Sequence, residues 1–132
     1  MSYRLFISHA WRYHDDYDRI IRMLDNAGYF SYSNYSVPVN DKFGKMAKTE
    51  LEEELRGQIR PVGCVLALAG VYMSYSDWIQ FELDFSVSKN KPIIGIKPWG
   101  QTNVSTAVSS VAKEIVGWNT DSIVSAIRRY SI

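Results

Sequence analysis

The residues of this chain whose types and spacing suit chemistry gather in three short stretches. The first is Trp78-x-x-x-Glu82, within the segment Ser74-Tyr-Ser-Asp-Trp-Ile-Gln-Phe-Glu-Leu-Asp-Phe-Ser-Val87. The second is Ser8-His9-Ala10-Trp11-Arg12, which follows a short β-branched and aromatic run. The third is Asn34-Tyr35-Ser36-Val37-Pro38. Glu82 stands out by its position. At 100° per residue, Trp78, Phe81 and Phe85 share one apolar stripe, and Ile79, Leu83 and Val87 share a second, turned by roughly 140°. Asp77, Gln80, Asp84 and Ser88 occupy the remaining, wet arc. Glu82 falls between the apolar stripes, where a carboxylate is costly unless it is paired, protonated or lining a pocket. Two readings stand at this point. Either the stem packs while the head finds an Arg or Lys, or the group is a desolvated carboxylate beside an aromatic, poised for ligand chemistry.

The remaining polar groups narrow the chemistry. His9 and His14, five residues apart with no third ligand spaced to join them, make a poor metal pair, so no metal is expected. His9 suits a ligand hydrogen bond or a bond to a strand-end backbone group. Arg12 suits a phosphate or a pairing with Asp15 or Asp16. Glu50, Glu52, Glu53 and Glu54 read as a solvated helix face. Cys64 lies within Val62-Gly-Cys-Val-Leu-Ala-Leu68 and reads as a buried thiol; as the sole cysteine it excludes an internal disulfide. Neither GxGxxG nor GxxxxGK[ST] occurs. A phospho-accepting receiver domain needs an Asp at the end of its central strand, where this chain has Leu68-Ala-Gly70. What remains is a carboxylate one helical turn after a Trp, facing aromatics and one or two basic groups. Such a site suits a flat heteroaromatic ligand bearing phosphates. Its carboxylate would hold a ribose or stabilise positive charge at an anomeric carbon, as glycosidase carboxylates do.

The elements that must position these groups alternate. Tyr3 to Ser8 reads as a strand, followed by a loop and a helix capped by Asp15 or Asp16, with Tyr17, Ile20, Ile21 and Leu24 on its apolar face. Asn26-Ala-Gly28 ends it, with Gly28 suited to a left-handed C′ position. The first half of Tyr29 to Ser36 is expected as the second strand, and a charged helix as about Lys45 to Ile59. Gly63 to Ala69, nearly all apolar, predicts a parallel strand buried on both faces. The Trp78–Glu82 helix follows, then a strand over Pro92 to Lys97, a short helix within Ser105 to Lys113, and a brief strand over Glu114 to Trp118. A final helix, capped by Thr120-Asp121, carries Ile123, Val124, Ile127 and Tyr130 on its apolar face. Five strand–helix alternations predict an α/β, flavodoxin-like three-layer sandwich with a five-stranded parallel sheet of order 2-1-3-4-5. Ligands in such sheets bind beyond the carboxyl ends of the strands, near the switch point between the first and third. Ser8 to Arg12, Asn34 to Pro38, Gly70 to Ser74 and Lys97 to Gly100 all fall at that edge.

Length and composition set outer bounds. The 132 residues fit one domain, 1–132, and 46% hydrophobic with 22% charged residues is ordinary for a globular chain. A net charge of +1 with scattered basic residues disfavours nucleic acid as a partner. No segment has the apolar length of a membrane span, and Met-Ser-Tyr-Arg-Leu-Phe-Ile lacks a signal-peptide core, so the expected location is cytoplasmic with no membrane partner.

Six segments in order carry a resemblance. They are Phe6-Ile-Ser-His-Ala-Trp11, Asn34-Tyr-Ser-Val-Pro38, Cys64-Val-Leu-Ala-Leu-Ala-Gly70, Tyr75-Ser-Asp-Trp-Ile-Gln-Phe-Glu-Leu83, Lys91-Pro-Ile-Ile-Gly-Ile-Lys-Pro-Trp-Gly100 and Glu114-Ile-Val-Gly-Trp-Asn119. Through them the chain resembles the TIR-like domain family of Thoeris anti-phage defence proteins (ThsB), within the Toll/interleukin-1-receptor superfamily. The resemblance implies an enzyme that cleaves the nicotinamide–ribose bond of NAD, an NAD+ nucleosidase or ADP-ribose cyclase-type hydrolase. Its cyclic or conjugated ADP-ribose product would reach a separate effector by diffusion. NAD is then a substrate, and no cofactor is required. The catalytic glutamate of the TIR Trp-x-x-x-Glu motif lands on Glu82, with Trp78 shaping the ring pocket. Ser8, His9, Ala10, Trp11, Arg12, Asn34, Tyr35, Ser36, Pro38 and Ser74 would line the substrate. Many animal TIR domains carry a basic residue where Ala10 falls, and Arg12 is the substitute at hand. The family also offers an alternative, a non-catalytic interaction module, and self-association through TIR-like surfaces is expected in either case.

Overall fold

The computed structural model describes residues 2–8, 14–36, 48–69, 77–97 and 104–132, with the backbone alone for 14–16, 48, 77 and 78. Its elements run β1 (Tyr3–Ser8), α1 (His14–Asp25), β2 (Tyr32–Asn34), α2 (Lys48–Ile59), β3 (Cys64–Leu68), α3 (Asp77–Ser88), β4 (Ile93–Ile96), α4 (Thr106–Ser109), β5 (Glu114–Val116) and α5 (Thr120–Tyr130). The five strands form one parallel sheet in the order β2-β1-β3-β4-β5, as the alternation of elements predicts. Ser8 pairs with Ala67 and Leu68 with Ile96, so the carboxyl ends of β1, β3 and β4 share one edge.

Side-chain chemistry accounts for this order. Every residue of β3 and β4 is buried, which requires strands on both sides and helices on both faces. The edge strands β2 and β5 have only three residues each and include exposed or half-buried positions. Helices α1 and α5 pack together, as do α2 and α3. Right-handed crossovers place the first pair on one face of the sheet and the second pair on the other. The core between the layers is contiguous, from Leu5, Phe6 and Ile7 through Leu55, Ile59, Leu66 and Leu83 to Ile123 and Ile127.

Two glycines sit where an added side chain would crowd its neighbours. On β4, a Cβ at Gly95 would lie 3.0 Å from Val108 Cγ1 and 3.1 Å from Ile115 Cγ1, so its absence lets α4 press onto the strand. At Gly63, just before β3, a Cβ would lie 2.5 Å from the carbonyl oxygen of Ile132, whose amide donates to the Gly63 carbonyl at 3.0 Å. Helix α3 is closed by a left-handed residue, Asn90 (φ 59°). The Lys91 amide donates to the Ser86 carbonyl at 2.9 Å and the Asn90 amide to Val87 at 3.0 Å, the paired bonds of a Schellman ending. The end of the Glu82 helix is thus fixed by its own backbone.

Several boundaries differ from the sequence-based expectation. Helix α1 starts at His14, ahead of Asp15 and Asp16, so neither is its cap. The left-handed residue after it is Tyr29 (φ 55°), one position past Gly28, and the Arg128 guanidinium donates to its carbonyl at 2.7 Å. Strand β2 occupies the middle of the Tyr29–Ser36 stretch; Phe30 instead stacks on Tyr3 and Tyr32 at 5.4 and 5.8 Å. The cap of α5 is Asn119, whose Oδ1 accepts from the Ser122 amide at 2.8 Å. Glu53 is solvent-facing as expected and lies 3.3 Å from both Arg56 and Arg60. Cys64 is a fully buried free thiol, which burial pushes up to about 12, out of reach of thiolate chemistry.

The glycine geometry makes a paired prediction. Gly63→Ala forces a methyl into the Ile132 backbone and should cost about 1–3 kcal/mol in urea unfolding. Gly57→Ala, in the exposed interior of α2 where an added Cβ meets nothing within 4 Å, should stabilise by about 0.5–1 kcal/mol. Equal shifts for the two variants would contradict the packing described.

Candidate active site

Strand β1 is buried over its last four residues and ends on Ser8, next to the switch point between β1 and β3. Helix α3 packs over β1 and β4. Its buried side comprises Ile79, Leu83, Ser86 and, between them, Glu82, which is 5% exposed. Gln80 and Asp84 lie on the outer side and bond to each other at 2.8 Å, as the periodicity predicts. Val87 departs from its expected stripe and is about half exposed, because α3 ends one residue later.

The Glu82 carboxyl meets a hydroxyl. Ser8 Oγ donates to Glu82 Oε1 at 2.6 Å, and Ser8 itself is only 1% exposed. Among the described residues this is the one side-chain hydrogen bond to that carboxyl. An Arg or Lys partner, one of the two possibilities read from the sequence, is not found for Glu82 among the described residues. The guanidiniums of Arg56 and Arg60 lie over the rings of Phe81 and Phe85 instead. Burial pushes Glu82 up to about 8 from an ordinary value of 4.5, and the Ser8 bond opposes that rise. The backbone at this point is pinned as well, since Ser86 Oγ donates to the Glu82 carbonyl at 2.6 Å.

The third stretch is tied to the same strand end. Ser36 Oγ accepts from the Ile7 amide at 2.7 Å, and the Tyr35 amide donates to Leu5 O at 2.8 Å. Asn34 Oδ1 accepts from the Ser36 amide at 2.9 Å, while its Nδ2 donates to the Tyr17 hydroxyl at 2.8 Å. The amide of Asn34 therefore links α1 to the segment after β2, and Asn34 to Ser36 form a braced wall beside Ser8. Of the residues expected at the site, the structure brings together Ser8 and Glu82 directly, with Asn34, Tyr35 and Ser36 held against β1. His9, Ala10, Trp11, Arg12, Pro38 and Ser74 lie outside the described residues, as does the side chain of Trp78, whose backbone is in the first turn of α3.

One polar group at this edge escaped the sequence reading. Ser105 is 3% exposed, its amide donates to Ala69 O at 2.8 Å just beyond β3, and its hydroxyl has no partner among the described residues. The only sequence signal was a Ser ahead of a weak helix, which ordinarily marks a cap, and no side-chain cap bond forms here. Among the described residues no group of three or more His, Cys, Asp or Glu side chains comes together. None of their helices is long and apolar enough to cross a membrane.

A parallel sheet of order 2-1-3-4-5 with a buried carboxyl at its switch point defines an α/β domain of the flavodoxin-like, TIR-like class. A profile of the Thoeris protein ThsB TIR-like domain matches residues 6–103, and the chain belongs to that family, the TIR-like domains of Thoeris defence. Among solved structures, the Clostridium botulinum CMP N-glycosidase BcmB superposes with a TM-score of 0.57 at 16% identity, over 96% of this chain and 98% of that one. A prokaryotic SEFIR domain follows with a TM-score of 0.54 at 13% identity, over 96% of this chain and 94% of that one. At these identities the likeness is one of fold. No curated protein matches the sequence.

The raised Glu82 group carries a stability signature. Because the folded state holds the proton between about 4.5 and 8, its contribution is complete below that window and is lost as pH rises through it. Glu82→Gln stays neutral throughout. Its stability relative to wild type should therefore grow with pH, by up to about 1.4 kcal/mol per unit. Urea unfolding of both proteins at pH 5.5, 6.5 and 7.5 checks this. Parallel curves would mean that Glu82 is not held dry.

Proposed function

We propose that this chain is an NAD-consuming enzyme of Thoeris anti-phage defence, cleaving the nicotinamide–ribose bond to make a cyclic or conjugated ADP-ribose signal. The observation that carries the reading is the buried Glu82 carboxyl, bonded to Ser8 at the carboxyl edge of the sheet. A desolvated carboxyl with no cationic partner among the described residues weakens the fold, so it needs a reason other than stability. An N-ribosyl pyridinium supplies the missing positive charge. The name of the BcmB structure, a CMP N-glycosidase, adds that a fold of this kind hosts cleavage of an N-glycosidic bond in that protein.

The proposed steps balance as follows. The C1′–N bond of the nicotinamide riboside breaks, and its electron pair leaves with neutral nicotinamide. Positive charge develops on C1′ and O4′, where the ionised Glu82 stabilises it, and the same carboxylate holds the ribose hydroxyls. Water adds to C1′ and loses a proton to solvent to give ADP-ribose, whereas an adenine nitrogen or a ribose hydroxyl adds, likewise with release of a proton to solvent, to give a cyclic product. The Trp78 side of α3 shapes the ring pocket. His9, Arg12 and the Asn34–Ser36 wall border the phosphates and ribose, and Arg12 takes the basic role that Ala10 lacks. NAD is the substrate, no cofactor takes part, and the effector is reached through a diffusible nucleotide. The whole of residues 1–132 acts as one domain in the cytoplasm, without nucleic acid or membrane.

A second reading has an observation of its own. Tyr29 stands fully exposed at a left-handed position beside the Tyr3–Phe30–Tyr32 stack, a surface that suits association with like domains. Self-association is compatible with catalysis. A purely non-catalytic module would leave NAD untouched while assembling with concentration.

Incubation with NAD should release nicotinamide from wild type, and Glu82→Gln should reduce release by at least about 10³-fold while keeping the fold. Because the ionised carboxyl is the active form, kcat/KM should rise with pH through a midpoint near 8 and level off only above it. Absence of release from wild type, alone and in extracts of phage-infected cells, would sink the enzymatic reading. A profile falling between pH 6 and 8 would reverse the role given to Glu82.

A further inference from the structure

Ser8 was expected to contact substrate, yet its hydroxyl is directed into the protein. It is 1% exposed and donates at 2.6 Å to a carboxyl that is itself 5% exposed, across 74 residues of sequence and from a strand to a helix. We infer that Ser8 is a positioning residue, which aims the Glu82 carboxyl and holds it ready to carry charge. The inference rests on the proposed role of Glu82 and adds to it the group that governs that carboxyl.

A buried carboxyl with a single hydroxyl donor among the described residues has one fixed oxygen, Oε1, held by Ser8 Oγ at the end of β1. The strand end is itself immobilised from the other side, since the preceding Ile7 amide donates to Ser36 Oγ at 2.7 Å. The helix end is immobilised by Ser86 and by the Schellman bonds around Asn90. Donor and acceptor are therefore both built on rigid backbone, and their bond sets the remaining freedom of the side chain. A hydroxyl donor also favours the ionised over the protonated carboxyl. No other described group competes for that effect. Strand β4 carries no titratable side chain. Strand β1 brings Tyr3 and Arg4 at its opposite end, and α2 brings Arg56 and Arg60, which lie over Phe81 and Phe85. On α3 itself Asp84 is on the outer side, bonded to Gln80. His9 and Arg12 lie outside the described residues.

The test separates positioning from simple damage to the fold. Protein labelled with 13C at the glutamate carboxyl is titrated by NMR, with Glu82→Gln identifying the Glu82 resonance. Ser8→Ala should move the Glu82 midpoint upward by about one pH unit or more, and Ser8→Thr, which keeps a hydroxyl, should return it toward wild type. In turnover of NAD, Ser8→Ala should shift the rising limb of kcat/KM to higher pH by the same amount. At pH 7 it should lower kcat about tenfold while leaving KM within about twofold. A merely destabilised variant would lose amplitude with its limb in place. An unchanged midpoint in Ser8→Ala overturns the inference, whatever the protein does to NAD. Undiminished nicotinamide release by Glu82→Gln overturns the proposed function and with it a catalytic purpose for Ser8, even where the midpoint moves.

Discussion

A carboxyl group held out of water by a strand-end hydroxyl is the constraint around which this molecule is arranged. Glu82 sits among Ile79, Leu83 and Ser86 on the buried side of α3, where an ionised group is expensive. Replacing it with an apolar residue of similar size would favour the fold. The short bond from Ser8 reduces the cost without removing it, which leaves Glu82 raised to about 8 and ready to ionise when positive charge arrives. The chemistry proposed for a cationic glycoside would make use of the same dry carboxyl that costs the fold stability.

The rest of the fold supplies rigidity to that bond. Wholly buried β3 and β4 fix the sheet, Gly95 lets α4 close against β4, and the chain end at Ile132 returns to Gly63 ahead of β3. On the other side of β1, Tyr17, Asn34 and Ser36 form a hydrogen-bonded brace that reaches Ile7, one residue before Ser8. The carboxyl edge of the sheet is therefore held by side chains from both layers and by the neighbouring strand.

How much of this could be read in advance depended on the range of the interaction. The strand order followed from local patterns, because an unbroken apolar run such as Cys64 to Leu68 admits only a central position. The burial of Glu82 followed from helix periodicity alone. Boundaries were less legible. Asn119, Thr120 and Asp121 are all good caps, and only geometry shows which one bonds to Ser122. Tyr29 and Phe30 look like strand residues, but Phe30 packs flat between Tyr3 and Tyr32 while the ladder begins at Tyr32. The identity of the Glu82 partner was illegible, since a hydroxyl 74 residues away leaves no trace in local pattern, and the sequence left a cationic partner and a desolvated carboxylate equally open. Ser105, buried near the end of β3 with a hydroxyl that has no partner among the described residues, was hidden for the same reason.

In cells, the proposed role of Glu82 has the chain turn NAD into an ADP-ribose-derived nucleotide. Mass spectrometry of nucleotides from phage-infected cells expressing wild type or Glu82→Gln measures this directly. The account predicts NAD loss and a new ADP-ribose-derived species with wild type, and neither with Glu82→Gln. Identical nucleotide pools in the two cultures, or the same new species from Glu82→Gln, would contradict it.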